Sequence, residues 1–205
     1  GQHGGYFGIG EFSFVEDHQI EIANNWISWG WSSEKKPKII PLGNLKTFGN
    51  QKISYNPKGY AILVEKLLPR YSFHIGSFPI ASHSLNYLDD QFCFVDSLPE
   101  SIRQKLLIRF GYDFEWGQKA RWKARFPILN INEHKGSIEN LIRRSRLCIS
   151  TSNASSYLES LSWNVPTIVF WNKHHWELKK KAIPLINLLK DVGIFHETPE
   201  SAAQH

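Results

Sequence analysis

The sequence predicts an α/β fold, a Rossmann-like parallel sheet with flanking helices. Three observations carry that expectation. Ala61-Ile-Leu-Val64 is a continuous apolar run of the kind a strand shows when both of its faces are buried. From Gly59 onward strand-like and helix-like segments alternate, and strands separated by helices call for parallel pairing through right-handed crossovers. Finally, the strand-like Leu147–Ser150 runs directly into small hydroxyl residues and a helix start.

Taken in order, residues 1–34 are rich in Gly and aromatics, with five glycines in the first ten positions. Asn25–Trp31 reads as a short strand, and Pro37–Gly43 as a strand edge interrupted by Pro41. After the strand at 61–64, Pro99–Lys105 reads as a helix with Pro99 and Glu100 suited to its first turn. Leu106–Phe110 follows as a strand, and Gly117–Arg125 as a basic helix closed by Pro127. Ile128–Ile131 is the next strand and Ser137–Arg144 a helix with Ser137 as N-cap. Leu147–Ser150 is a strand, Ala154–Trp163 a helix and Thr167–Phe170 a strand. His174–Leu189 reads as one longer helix with Leu178, Ala182, Leu185 and Leu189 on a single stripe, and Ser201–His205 as the start of another. The organisation expected is a linking region over 1–58, its Gly-rich His loop on the side of a partner domain, and a nucleotide-binding domain over 59–205.

A chain of 205 residues suffices for one α/β domain with a real core. No run of 18 apolar residues is present, so no membrane-spanning helix is expected, and no signal-peptide pattern is visible. The chain begins with Gly1 and contains no Met, which predicts that an amino-terminal domain is missing and that this is an excerpt of a longer protein. Cys93 and Cys148 sit among apolar neighbours without CxxC spacing, so buried thiols in a reducing, cytoplasmic compartment are expected rather than a zinc or redox site. The net charge of +5 permits an anionic partner, whether nucleotide phosphate, nucleic acid or the inner leaflet of the cytoplasmic membrane. That charge is dispersed, and no nucleic-acid-binding signature accompanies it.

Four constellations can carry chemistry. The strongest is Ser150-Thr-Ser-Asn-Ala-Ser-Ser-Tyr-Leu-Glu159. In an open parallel sheet ligands bind beyond the carboxyl ends of strands, and free N–H groups at a helix start favour an anion. Ser152, Asn153, Ser155 and Ser156 are therefore candidate phosphate donors, and Glu159, one turn in, a candidate acceptor for ribose hydroxyls. Helix capping by Ser152, Asn153 or Ser155 would use the same residues. The second is the loop Gly1-Gln-His3-Gly-Gly5 with Glu16-Asp17-His18 downstream, where His3, Glu16, Asp17 and His18 are candidate acid–base residues; a flexible terminus and an exposed polar turn would use the same residues. The third runs from Arg109 through Tyr112 and Trp116 to Lys119, Arg121 and Trp122, where Arg109 and Lys119 can clamp a diphosphate and an aromatic ring can stack on a base or sugar. The fourth is Trp171-Asn172-Lys-His-His175-Trp176-Glu177. Adjacent helical residues point about 100° apart, so His174 and His175 do not make a metal site. Trp171, Asn172, His175 and Trp176 better fit a sugar-contacting lip.

Together these motifs resemble the transferases of surface carbohydrate biosynthesis known as the LIC family of Leptospira-type transferases. The matching signatures are Gly1–Gly5, Phe14-Val-Glu-Asp-His18, Trp29-Gly-Trp31, Pro41–Lys46, Trp116–Lys119 with Arg121-Trp122, Ser150–Glu159, Pro166–Asn172, His175–Glu177 and Gly193–Ala202. They cover nearly the whole chain. More distantly, the order of elements resembles the carboxyl-terminal half of GT-B glycosyltransferases. The segment Ser150–Pro166 is also similar to the nucleotide-sugar epimerase pattern of small residues, Glu, then Pro seven residues later, kept here by Glu159 and Pro166. That likeness implies that Glu159 contacts the donor ribose and Ser155/Ser156 the phosphates. The Asp often found in place of Ser152 is missing.

The function expected is a metal-independent glycosyltransferase of cell-surface polysaccharide biosynthesis, using a nucleotide-sugar donor and a carbohydrate or lipid-linked carbohydrate acceptor. No cofactor and no nucleic acid are expected; peripheral association with the cytoplasmic membrane is compatible with the charge. Alone, the excerpt is expected to bind donor with little turnover. The alternatives are a nucleotide-sugar epimerase or hydrolase, and a non-catalytic polyanion-binding module.

Overall fold

In the computed structural model, which describes residues 1–49, 52–66, 68–72, 75–111, 117–133 and 136–205, Ser13 opens the first helix. Its hydroxyl accepts the Glu16 backbone N–H at 3.2 Å, the bond an N-cap serine supplies to an otherwise unpartnered donor. α1 (Phe14–Ile22) leads into β1 (Trp26–Ser28) and β2 (Ile39–Pro41), which pair in parallel. Phe7, Ile20, Trp26 and Ile39 close a small core of their own beneath these elements.

Four apolar residues in a row can be buried only if both faces of their sheet are covered. That holds for β3 (Ala61–Val64), buried at every position. A 3₁₀ turn (Ala81–His83), α2 (Ser84–Asp96) and α3 (Glu100–Arg103) lead to β4 (Leu106–Phe110). α4 (Gln118–Arg125), β5 (Asn130–Glu133) and α5 (Ile138–Arg144) follow, then β6 (Leu147–Ser150), α6 (Ser155–Ser162) and β7 (Thr167–Phe170). A second 3₁₀ turn (Lys180–Ala182), α7 (Ile183–Asp191), β8 (Phe195–His196) and α8 (Pro199–Gln204) complete the chain. The six strands β3–β8 form one all-parallel sheet in the order β5-β4-β3-β6-β7-β8. The chain winds outward from β3 in one direction, then from β6 in the other, which is the doubly wound Rossmann order. Leu88, Phe94 and Trp122 of α2 and α4 cover one face, and Ile142, Tyr157 and Ile186 of α5, α6 and α7 the other.

The sheet agrees with the expected fold class, and three local expectations are corrected. His174–Leu189 is not one helix: Leu178 forms an antiparallel bridge with Gly10, and α7 begins only at Ile183. Pro184 explains this, because proline fits the first turn of a helix and not its interior. β5 lies two residues later than expected, at Asn130–Glu133; it is an edge strand with half-exposed side chains, so burial leaves little pattern in its sequence. Cys93 is half-buried, and its thiol donates to Glu200 Oε1 at 2.9 Å, whereas Cys148 is buried; both are free thiols.

The amino-terminal segment is tied to the sheet domain by backbone. Glu11 N donates to Glu177 O at 3.0 Å and Lys179 N to Ile9 O at 2.8 Å. Ser77 N donates to Phe12 O at 2.9 Å and Phe14 N to Ile75 O at 3.1 Å. Three distant stretches, 9–14, 75–77 and 177–179, thus form one clasp at the carboxyl edge of the sheet. Above it Gly5 packs so closely on the start of α6 that a Cβ there would lie within the radius of Ala154 O and 2.8 Å from Ser155 N. Gly5→Ala is therefore expected to lower unfolding stability by about 1–3 kcal/mol, measured by urea denaturation, through overpacking rather than through any backbone φ preference.

Candidate functional site

The two strands at which the winding reverses, β3 and β6, lie side by side with Val64 opposite Ser150. Ligands of doubly wound sheets bind outside the carboxyl ends of strands at this point. Beyond β3 come Glu65 and Lys66; beyond β6 come Thr151, Ser152 and Asn153, which lead into α6. The Tyr87 hydroxyl joins the two sides. It accepts from Lys66 N at 2.8 Å and lies 2.6 Å from Thr151 Oγ1, which in turn donates to Val64 O at 3.1 Å. The Thr151 hydroxyl has a single proton, so the Tyr87 hydroxyl is the donor in the contact between them. Burial, reinforced by the Glu65 charge, pushes the Tyr87 phenol up and keeps it protonated. Trp122 Nε1 donates to Glu65 Oε2 at 3.1 Å.

Lys66 is the unusual group. Its ammonium lies 5.1 Å from the ring centroid of Trp176, 5.4 Å from Phe78 and 5.6 Å from Tyr6. No carboxylate of the described residues makes an ion pair with it. Ring faces attract a cation but do not replace its lost hydration. Burial accordingly lowers the Lys66 amine from its ordinary 10.5 to about 8.

On the β6 side α6 starts without a side-chain cap: its N-cap is Ala154. Ser152, Asn153 and Ser155 therefore do not do the capping that the sequence equally allowed, and the first-turn amides lack side-chain acceptors. Ser156 Oγ lies 3.1 Å from Ser150 Oγ, and Ser150 Oγ donates to Ser152 O at 3.3 Å. Asn153 is fully buried; its Oδ1 accepts the Tyr157 hydroxyl at 3.4 Å, while its Nδ2 has no acceptor among the described residues. Glu159 is buried and holds Lys46 Nζ at 2.8 Å, so the loop before Thr47 reaches over α6 and a ribose would have to share or displace that lysine.

The other sequence-derived candidates separate into groups. His3 is exposed, its Nε2 3.0 Å from Gln19 Nε2, with its ring edge-on to Phe7. Glu16 is buried, with Oε2 accepting Gly8 N at 2.7 Å and Oε1 paired with Lys179 at 3.3 Å, so it holds the glycine loop and the 177–179 stretch together. Asp17 and His18 face outward, Asp17 on Lys36 at 3.1 Å and His18 stacked on Phe14. Arg109 is buried on β4, bonded to Asn132 Oδ1 and to Gly136 O, and Lys119 pairs with Glu133 at 2.6 Å. These three partners, Asn132, Glu133 and Gly136, lie on β5 or shortly after it in sequence, on the far side of β4 from Lys66. Tyr112 and Trp116 lie outside the described residues.

Trp171, Asn172 and Trp176 line a cavity of about 740 Å³ beyond β7 and β8, together with Asp90, Glu197 and Glu200. Both indole N–H groups are buried without an acceptor among the described residues. His175 does not line it; its ring stacks on His83 at 4.5 Å, and burial, followed by the charge of His83, lowers its basicity. Trp176 therefore stands between this cavity and Lys66. Lys66, Tyr6, Tyr87 and Lys46 were not among the sequence-derived candidates. The available signal for the first was a Glu-Lys pair at the carboxyl end of the apolar run 61–64, where a parallel strand presents charge to a ligand.

The sequence model of the LIC12162 family transferase matches residues 1–205. No curated protein matches the chain.

Lys66 has a consequence for stability. Its folded value is depressed, so between about 8 and 10.5 the unfolded chain binds more protons and stability rises with pH. The penalty for holding the charge is fully present below pH 8. Lys66→Met, which fills the same space with no charge, is expected to unfold at a higher temperature than the parent at pH 7, with the difference narrowing between pH 8 and 10.5 in a thermal melt series. A less stable Met variant at pH 7 would contradict the assignment.

Proposed function

Because the chain belongs to the LIC12162 family of transferases, we propose that it moves a sugar (or a related polyol phosphate) from a nucleotide-activated donor to a carbohydrate acceptor in cell-surface polysaccharide biosynthesis. The observation that carries this reading is a ring-shielded Lys66 ammonium just after β3 together with an uncapped helix start just after β6, the two strands at which the winding reverses. A half-buried cation shielded by rings and without an ion pair among the described residues is costly, and an anionic ligand is what relieves it. A diphosphate bridging Lys66 and the amides of Ser155 and Ser156 would bring negative charge to both, and would have to displace Gly5 from Ser155 N to do so.

In this reading Glu159 receives the ribose hydroxyls in exchange for Lys46, and the sugar lies toward the Trp176 side of the 740 Å³ cavity. With a sugar donor, the acceptor hydroxyl oxygen attacks the anomeric carbon, and the bond from that carbon to the phosphate oxygen breaks with its electron pair on the phosphate. Lys66 and the α6 amides hold the charge that develops there. The reading therefore calls for no divalent cation. The hydroxyl proton passes to a base on the glycine-loop side. His3 suits this better than Glu16, whose two oxygens are engaged by Gly8 and Lys179. The reading resembles the carboxyl-terminal half of a GT-B enzyme, with residues 1–58 bordering the acceptor side.

Calorimetric titration with CMP, CDP, UDP, GDP and ADP tests it. One nucleotide is expected to bind selectively and without added metal, at least about tenfold (~1.4 kcal/mol) more weakly to Lys66→Met and to Glu159→Ala. Bound phosphate favours the protonated amine, so affinity is tightest below pH 8 and falls as pH rises through it. That fall should be absent in Lys66→Met. A folded protein that binds none of these nucleotides, or binds them equally well without Lys66, would refute the proposal.

A further inference from the structure

Between the amino-terminal segment and helices α6 and α7 lies a second cavity, of about 450 Å³, within the range of small-molecule sites. Its walls are mainly apolar, with Trp29, Trp31, Leu158, Leu185 and Leu189 among them, and Lys181 stands at its edge. The wall is built rather than loosely closed. Trp31 Nε1 donates to Gln2 Oε1 at 2.9 Å, and Gly8, at φ +80°, leaves the room that ring needs. Gly5 belongs to this wall and is also the residue pressed against Ala154 and Ser155. The cavity thus lies directly behind the loop that covers the start of α6.

The apolar surface continues outside. Leu185, Leu188 and Val192 follow one another at spacings of three and four along α7 and its end, and are 60%, 59% and 60% exposed. Single exposed leucines are ordinary, but a stripe running into an apolar cavity marks a contact surface. Charge identifies the occupant. Lys180 and Lys181 precede the stripe, and neither makes an ion pair with the described residues; the Lys181 ammonium lies 4.9 Å from the Trp31 ring centroid. Trp29 and Trp31 are half-exposed at the same place, as indoles are where an apolar phase meets water. A concave apolar cavity with cations and indoles at its rim fits a hydrocarbon chain ending in an anionic head.

We propose that this cavity binds the hydrocarbon chain of a lipid-linked acceptor, with Lys180 and Lys181 meeting the phosphate at its head. Only the naming of the occupant as the acceptor rests on the transfer reading above; the chain-binding site rests on the cavity and its rim.

The test is calorimetric titration of butyl, octyl and dodecyl phosphate and of dodecanol, all below micelle-forming concentrations. Affinity is expected to rise at least tenfold from butyl to dodecyl phosphate, and dodecyl phosphate to exceed dodecanol. The double variant Leu158→Phe/Leu189→Phe, which fills the cavity, should remove the chain-length dependence. Leu185→Gln, at an exposed rim position where folding is not at stake, should weaken dodecyl phosphate several-fold. Lys181→Glu should remove the preference over dodecanol. All three should leave nucleotide affinity unchanged. Affinity independent of chain length, or indifferent to both the filling and rim variants, would overturn the proposal. So would a concentration-dependent dimer abolished by Leu188→Glu, which would assign the stripe to a second copy. Loss of nucleotide binding with chain-length dependence intact would instead sink the transfer reading alone.

Discussion

Three rings from three distant parts of the chain enclose the Lys66 ammonium: Tyr6 before the 9–14 stretch, Phe78 just after 75–77, and Trp176 just before 177–179. These are the same three stretches that hydrogen-bond to one another across the carboxyl edge of the sheet. The cage and the clasp are one construction. Backbone bonds fix the rings, the rings shield the cation, and the backbone N–H of Lys66 is held by the Tyr87 hydroxyl that joins the two strand ends. Glu16 holds the assembly from behind through Gly8 and Lys179, and Gly5 lets the same loop reach the start of α6. A charge held this way lowers stability, and an anionic ligand would relieve that cost.

Much of the fold was legible because the sheet is parallel and buried. Runs such as Ala61–Val64 and Thr167–Phe170 have no polar face to confuse the period, and both are strands over those same residues. The helix Ser84–Asp96 was not legible in the same way. Its buried Tyr87, Leu88, Gln91, Phe94 and Val95 have helical spacing, but Gln91 and two adjacent aspartates interrupt the apolar stripe. The region around Leu178 misled for the opposite reason: apolar residues at helical spacing served a bridge to Gly10 and a separate helix, and Pro184 was the sign of the break.

The geometry of the candidate site was legible where it depended on local sequence and hidden where it depended on long-range contacts. The run Ser150–Glu159 pointed to a strand end entering a helix, and that is how β6 and α6 meet. That Glu159 binds Lys46, 113 positions away in sequence, could not be read from either segment. Glu16, Asp17 and His18 are consecutive and so turn to different sides of α1: one inward as a strut, two to solvent. Arg109 and Lys119 bond to groups in or just after β5, across β4 from the switch point, because the sheet order interposes that strand. Trp171 and Trp176 do line a cavity, yet their rings are also core, and Trp176 doubles as one wall of the lysine cage.

The proposed role of Lys66 requires a cation held out of water at the switch point. Nuclear magnetic resonance of ¹³C-dimethylated lysines, with the Lys66 signal identified by its loss in Lys66→Met, measures that cation directly. This amine is expected to titrate near 8 in the free protein and to move upward when the preferred nucleoside diphosphate is added. A titration near the ordinary value of 10.5, unmoved by any nucleotide, would contradict it.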